Sequence, residues 1–248
     1  MTETAAKRGP TLRELMRGNI LVLTVSRIMW SLSMSVVFPY QSLFIQELGG
    51  SKPMIGMITA LGNVTGMVFY PLGGYLADKS GRAKLVGYAT MLYASSFIVY
   101  VLAPTWQWMA VAMAFQQLVL FYMPALNAIM ADSIPPGARG KIFSLTIAIP
   151  EAVRILAPFI GGWLIDRYTL VPAMRMGYTL SFLMAFLVAV MRIRYLKETI
   201  TNTGFEWNIP KIFRESYSNV FESVGWIKAN MRGYSLIAMI LVFTGSLV

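Results

Sequence analysis

The sequence predicts an all-α membrane protein: six transmembrane helices arranged as two inverted three-helix repeats, followed by a truncated seventh helix. Three observations support this fold class. The 248 residues are 56% hydrophobic and 13% charged, which is about half the charge of a soluble domain. Six apolar segments are each long enough to cross a hydrocarbon core of about 30 Å. Basic residues concentrate on one side of these segments, as cytoplasmic loops require.

The six apolar segments are called spans 1 to 6. They cover Asn19–Ile45, Pro53–Ala77, Ala83–Ala103, Thr105–Ala131, Lys141–Ile165 and Pro172–Tyr195. A seventh apolar segment begins at Gly233 and has 16 residues before the sequence stops at Val248, which is short for a span. We therefore expect a cytoplasmic segment (1–18), a transmembrane domain (19–195), a cytoplasmic linker (196–232) and the truncated start of a seventh helix (233–248).

Charge placement predicts the orientation of the chain. If the N-terminus is cytoplasmic, three basic residues lie in outer loops: Lys52, Arg167 and Arg175. Sixteen lie on the cytoplasmic side: Lys7, Arg8, Arg13, Arg17, Lys79, Arg82, Lys84, Arg139, Lys141, Arg192, Arg194, Lys197, Lys211, Arg214, Lys228 and Arg232. This asymmetry predicts a multi-pass protein of the cell membrane with a cytoplasmic N-terminus. It also accounts for the net charge of +10 without a nucleic-acid partner.

An internal repeat relates the two halves of the spans. Residues 71–79, at the end of span 2, are echoed by residues 158–167 at the end of span 5, and the two glycine pairs are 88 residues apart. The same shift superposes spans 1–3 on spans 4–6. Because each unit has an odd number of spans, the two copies have opposite orientations in the membrane.

A hydrophilic hairpin of about eight residues joins spans 2 and 3 within the stretch 73–84. The pair Gly73-Gly74 lets a neighbouring helix approach closely, and Gly81 permits a turn with positive φ. Asp78 is placed to accept hydrogen bonds from the N–H groups that open the next helix. The pattern of glycines, Asp78 and Arg82 resembles the loop between helices 2 and 3 of the major facilitator superfamily. The acidic, Pro-Pro and Arg-Gly residues of loop 131–141 resemble that family too.

The resemblance implies the N-terminal six-helix half of a transporter that moves a small-molecule solute by alternating access. The expected partners are that solute, the lipid bilayer and the missing C-terminal six-helix half. In the family, the acidic residue and the arginine of the loop bind each other and a helix of the other half. The resemblance gives these roles to Asp78 and Arg82, with Gly74 and Gly81 allowing close approach.

Three ionisable residues lie within spans: Arg27 in span 1, and Glu151 and Arg154 in span 5. An unpaired charge at the bilayer centre costs about 2.5–3.5 kcal/mol on insertion scales, so we expect these groups to face a cavity or each other. Two interpretations stay open for span 5. Glu151 and Arg154 form a structural ion pair, or Glu151 carries a proton while an arginine binds solute. Arg27 could also extend its long side chain toward the cytoplasm.

Uncharged polar residues supply further candidates: Gln116 and Asn127 in span 4, Asn63 in span 2 and Gln41 in span 1. Each is either an interhelical hydrogen-bond partner or a solute contact. After span 6, apolar residues recur at helical spacing over 208–228, and this pattern predicts an amphipathic helix lying on the inner leaflet. Asn208 and Pro210 are its expected start.

The composition also excludes several classes of function. The chain has no cysteine and no histidine, and no nucleophile–base set, metal cluster or phosphate-binding loop stands out. We therefore expect no enzyme, catalytic residue, cofactor or metal site. A secondary transporter coupled to an ion, with the proton expected, fits best, and efflux is one direction it could take. Span 4 lacks the arginine typical of drug/proton antiporters. An uptake symporter, an uncoupled facilitator of the same fold, and a non-transporting receptor or scaffold stay open.

Overall fold

The computed structural model describes residues 16–200 and 208–230. Its longer helices are α1 Gly18–Glu47, α2 Lys52–Lys79, α3 Arg82–Leu102, α4 Trp106–Ser133, α5 Arg139–Tyr168, α6 Leu170–Tyr195 and α7 Ile209–Asn230. Single 3₁₀ turns interrupt α1 at Phe38–Tyr40 and α4 at Leu120–Tyr122. The chain divides into two compact units, Met1–Gly204 and Phe205–Val248.

Helices α1 to α6 are long and apolar enough to cross a membrane. The shortest, α3, has 21 residues, and its length at 1.5 Å per residue is about 31 Å. Each helix end lies within three residues of the corresponding predicted span, which confirms the six spans. Large apolar side chains such as Met67, Leu102 and Phe159 are 79%, 69% and 75% exposed, as expected for a surface that contacts lipid.

The packing of the six helices follows the internal repeat. Helix α1 packs against α5 and α6, and α4 packs against α2 and α3 in the same way. Helices α3 and α6 also pack against each other. When α1–α3 are matched to α4–α6, the α1–α5 contact corresponds to α2–α4, the α1–α6 contact to α3–α4, and the α3–α6 contact to itself. The two inverted three-helix repeats are therefore confirmed.

Two glycines of the repeated motif allow the closest helix contacts. A Cβ atom placed on Gly73 lies 1.5 Å from the carbonyl oxygen of Phe121 in α4, and one placed on Gly161 lies 2.2 Å from that of Val36 in α1. Gly73 and Gly161 are equivalent positions, 88 residues apart. A Cβ atom on Gly74 meets nothing within 4 Å among the described residues. Within the described bundle the close approach belongs to Gly73. The role of Gly74 concerns the other half of the transporter and stays a prediction.

An aromatic cluster fills the centre of the bundle between α3 and α6. Tyr93, Phe97 and Tyr100 follow one face of α3, and each is at most 3% exposed. Tyr100 stacks on Tyr178 of α6, with ring centroids 4.9 Å apart. This cluster joins α3 to α6 and lines a cavity described below.

The second unit contains α7. The Oδ1 atom of Asn208 accepts a hydrogen bond from the backbone N–H of Lys211 at 3.2 Å, so Asn208 caps the helix as predicted. Exposed side chains of α7 include Phe213, Phe221 and Trp226. That α7 lies on the inner leaflet stays a prediction. Most of the N-terminal segment, and the seventh span from Gly233, fall outside the described residues.

Candidate solute-binding site

The three ionisable residues predicted within the spans line one cleft. Arg27 from α1 and Glu151 and Arg154 from α5 border a cavity of about 410 Å³. The other lining residues are Trp30, Ser31, Met34, Ser35, Phe38, Thr146, Ile147 and Pro150. A volume of this size suits a drug-sized ligand. The expectation that these charges face a cavity or each other is therefore met for all three.

Glu151 and Arg154 lie one helical turn apart on α5. The Nη1 atom of Arg154 is 3.5 Å from each carboxylate oxygen of Glu151. Both side chains are about half exposed, 54% for Glu151 and 57% for Arg154, so solvent screens their attraction. The two residues thus form a loose pair that also opens to the cleft. This geometry is compatible with both interpretations from the sequence, a structural ion pair and a proton-carrying Glu151.

Two prolines fix this part of α5 against α1. Proline lacks a backbone N–H, so Pro150 and Pro158 each interrupt the hydrogen bonding of α5. Their own carbonyl oxygens accept hydrogen bonds from α1: Ser31 Oγ donates to Pro150 at 2.7 Å, and the Tyr40 hydroxyl donates to Pro158 at 2.9 Å. These bonds hold α5 on both sides of Glu151. The backbone on both sides of Glu151 is therefore held against α1, the helix that also carries Arg27.

Arg27 makes a hydrogen bond across the bundle. Its Nη2 atom donates to Oδ1 of Asn127 in α4 at 3.2 Å, so two residues selected from the sequence meet in the structure. Asn127 is neutral, and the bond leaves the charge of Arg27 uncompensated.

A smaller cavity of about 180 Å³ adjoins the cleft, because Met34 and Phe38 line both. Its walls also include Gln41 and Gln116. Gln116 is 9% exposed and bonds to two residues of α3. Its amide nitrogen donates to Ser96 at 3.3 Å, and the Tyr100 hydroxyl donates to its oxygen at 3.4 Å. Gln116 is thus both an interhelical partner and a cavity wall.

The wall of this cavity also includes a polar atom without a partner. The buried hydroxyl of Tyr178 has no hydrogen-bond partner within the described part of the chain. Asn63, in contrast, is exposed on α2 and borders neither cavity. Among the uncharged polar candidates, Asn63 is therefore the one that neither lines these two cavities nor hydrogen-bonds, within the described residues, to a residue that lines them.

The sequence analysis missed the role of Arg192. It counted this residue among the cytoplasmic charges after span 6, but its side chain is 3% exposed inside the bundle. Its Nη1 atom donates to Thr90 Oγ1 at 2.8 Å and its Nε atom donates to Ser26 Oγ at 3.3 Å. Its guanidinium lies 5.9 Å from the ring centre of Tyr122. The sequence did contain a signal for this burial, because Arg192 lies about one helical turn inside the predicted end of span 6.

The hairpin between α2 and α3 is organised around Arg82. Gly81 has a φ of +89°, which confirms the predicted turn. Arg82 contacts Asp78 at 3.1 Å and Asp132, at the end of α4, at 2.5 Å. The predicted pairing of Asp78 with Arg82 is therefore present. The contact with Asp132 adds a link from the hairpin to α4.

The carboxylate that caps α3 is Glu198 and not Asp78. Glu198 Oε2 accepts a hydrogen bond from the N–H of Ala83 at 2.9 Å, whereas the predicted role of Asp78 is wrong because its carboxylate turns back to Arg82. Burial raises the pKa of Glu198, but hydrogen bonds from the backbone N–H groups of Ala83, Thr199, Arg82 and Ile200 outweigh that effect and lower it overall.

The sequence model of one protein family, the Major Facilitator Superfamily, matches residues 23–248 of this chain. The chain is 23% identical over 198 residues to the multi-drug resistance efflux pump PmrA of Streptococcus pneumoniae, an alignment that covers 78% of the chain and 49% of the pump. It is 25% identical over 207 residues to the quinolone resistance protein NorA of Staphylococcus aureus, covering 83% of the chain and 53% of NorA. The chain thus spans about half the length of these curated relatives.

A solved structure has the same fold. The crystal structure of the human organic anion transporter MFSD10 (TETRAN) superposes with a TM-score of 0.61 at 16% sequence identity. The superposition covers 78% of this chain and 49% of that transporter. At this identity the likeness concerns the arrangement of the helices.

Proposed function

The chain belongs to the major facilitator superfamily, and on that premise we propose that it is the N-terminal half of a secondary transporter that moves a small solute by alternating access. One observation carries the proposal: α1 and α5 place Arg27, Glu151 and Arg154 on one open cleft. Charges within membrane spans are costly, and they mark solute or ion pathways when they line a cavity. Because the family consists of transporters, we propose transport and not catalysis as the function of the cleft.

Efflux is the direction that the relatives favour. PmrA and NorA are named as an efflux pump and a resistance protein, and efflux of a partly apolar solute suits the cleft walls of Trp30, Met34 and Phe38. Uptake symport and uncoupled facilitation use the same fold, and a receptor or scaffold is the non-transporting alternative. We place the protein in the cell membrane with a cytoplasmic N-terminus, on the basis of the fifteen basic residues that remain assigned to that side once the buried Arg192 is set apart.

We propose that Glu151 couples proton movement to transport. It is the carboxylate of the cleft, and its contact with Arg154 is long and half exposed, so protonation breaks one weak pair without burying an unpaired charge. Glu151→Gln keeps the shape of the side chain and removes its charge change. In full-length, reconstituted protein, this variant should lose accumulation driven by a pH gradient and keep exchange of bound solute.

Asp166→Asn is the matched control for Glu151→Gln, because Asp166 is exposed near the end of the same helix and should tolerate the change. Accumulation at the wild-type rate in Glu151→Gln would exclude this residue as the proton carrier. Loss of exchange together with accumulation would assign Glu151 to solute binding or folding.

We further propose that the hairpin steadies one state of the transport cycle. Arg82 joins Asp78 to Asp132, and the family resemblance adds a helix of the other half as a partner. Asp78→Asn removes one of the two carboxylates on Arg82 and should strongly reduce the transport rate of the full-length protein at unchanged expression. Lys79→Gln alters the charge of the adjacent exposed residue and serves as the control. Unchanged transport in Asp78→Asn would contradict this role and would mean that the hairpin only connects α2 to α3.

A further inference from the structure

The charges of the cleft do not cancel. Two arginines and one carboxylate line it, and the carboxylate of Glu151 is engaged by Arg154. Arg27 is left with the neutral amide of Asn127. Within the described residues, no carboxylate contacts its guanidinium. A charged guanidinium beside an open cavity is suited to bind an anion through two parallel hydrogen bonds, that is, in bidentate geometry.

A second arginine, Arg192 of α6, adds to the positive potential at Arg27 from inside the bundle. Arg192 is buried, and its Nε atom donates to the hydroxyl of Ser26, the residue next to Arg27. Its other described contacts, Thr90 and the ring of Tyr122, are neutral. In a low-dielectric bundle, a like charge at this position acts on Arg27 with little screening. A bound anion relieves that repulsion, whereas a bound cation increases it.

The remaining walls of the cleft are largely apolar. Trp30, Met34, Phe38 and Ile147 line it together with a few hydroxyl groups. These side chains surround the space next to Arg27 and provide contacts for a hydrophobic or aromatic group. The site therefore combines one strong anion-binding group with an apolar compartment of about 410 Å³.

We propose that the cleft binds organic anions, with the carboxylate or sulfonate of the ligand on Arg27 and its apolar body against Trp30, Met34 and Phe38. This substrate class rests on the proposed function, in which the cleft is the solute site. Asn127 positions the Arg27 guanidinium, and Arg192 biases the site against cations.

The test compares two probes that share one fluorophore and differ in charge. Dansylglycine carries a carboxylate, and dansylcadaverine carries an ammonium group. Binding of each to the full-length protein in detergent is followed by dansyl fluorescence, and transport is followed by counterflow in proteoliposomes. Wild-type protein should bind dansylglycine more tightly than dansylcadaverine. Arg27→Gln should weaken dansylglycine binding about 10- to 100-fold, the range for losing a charged hydrogen-bond partner.

Two further variants separate charge from folding. Asn127→Asp keeps Arg27 but pairs it with a carboxylate, so it should also weaken dansylglycine binding and improve that of dansylcadaverine. Arg194→Gln removes a positive charge from an exposed position of α6 and should change neither. Dansylglycine binding that is absent in the wild type, or unchanged in both Arg27→Gln and Asn127→Asp, overturns the assignment. Equal loss of both probes in these variants overturns it as well.

Counterflow distinguishes this inference from the proposed function. Transport of dansylcadaverine without binding of dansylglycine keeps the transporter and overturns the anion site. Arg27-dependent binding of dansylglycine without transport of either probe keeps the anion site and contradicts the transporter.

Discussion

Replacing Gly73 by alanine tests how closely α2 and α4 pack. The added Cβ atom would lie 1.5 Å from the carbonyl oxygen of Phe121, and real Cβ contacts are essentially never shorter than 3.0 Å. The clash is with backbone, which cannot rotate away as a side chain does. The two helices must therefore separate by about 1.5 Å, the difference between these distances, or bend around the new methyl group.

The energetic cost follows from that displacement. Overpacking a well-packed interior costs about 1–3 kcal/mol, and a forced backbone shift places Gly73→Ala at about 3 kcal/mol. For a domain of this size, about 3 kcal/mol lowers the melting temperature by about 6–12 °C. Gly161→Ala needs a smaller shift, because its Cβ atom would lie 2.2 Å from the Val36 carbonyl oxygen. It should lower the melting temperature by less.

Gly74→Ala is the matched control. A Cβ atom added there meets no described residue within 4 Å, and alanine is favoured over glycine in a helix by up to about 1 kcal/mol. Thermal melting of the purified protein in detergent, followed by size-exclusion chromatography, ranks the three variants. We expect Gly73→Ala to melt lowest, then Gly161→Ala, with Gly74→Ala at or above the wild type. If Gly74→Ala is as damaging as Gly73→Ala, the assignment of the close contact is wrong.

Two further predictions concern the hairpin and its surroundings. Because the chain has no native cysteine, single cysteines at Ser80 and Lys52 should react with an impermeant thiol reagent from opposite sides of the membrane; labelling of both from one side would contradict the proposed orientation. Glu198→Gln should lower the melting temperature at pH 7, because the contacts of Glu198 with Ala83 and its neighbours favour its ionised form. The lowered pKa means that this contribution fades as the pH falls below the 4.5 of an ordinary glutamate. The gap from wild type should therefore narrow there, and a gap independent of pH would contradict the role.

Local sequence was sufficient to predict the spans, the turn at Gly81 and the Asn208 cap of α7. A long apolar run must become a helix in lipid, since every backbone group needs an internal partner, and charged or turn-forming residues end it. Gly81 and Asn208 act within their own turns, at a positive φ and at a helix N-terminus. Such features depend on a few neighbouring residues, so the sequence alone predicts them.

Contacts between distant residues were harder to predict. Arg27 and Asn127 are 100 residues apart, and the sequence suggested each as polar without indicating that they meet. Asp78 was expected to cap α3 because it lies close in sequence, but Glu198 reaches that position from 115 residues away. Arg192 was taken as a loop charge because basic residues near span ends usually are. Its burial depends on Thr90 and Ser26, which only the packed bundle brings together.

The repeat relates the helix packing of the two halves but not their chemistry. Gly73 of α2 contacts the backbone of α4, and Gly161 of α5 contacts the backbone of α1 in the equivalent way. The charges of the cleft come only from α1 and α5. At the positions that the 88-residue shift makes equivalent, α4 and α2 carry uncharged residues: Phe115 for Arg27, Asn63 for Glu151 and Gly66 for Arg154. The two three-helix units thus share one packing arrangement, and the charged residues that line the proposed site occur in only one of the two equivalent helix pairs. The anion test on Arg27 therefore probes the feature that distinguishes the two otherwise equivalent halves.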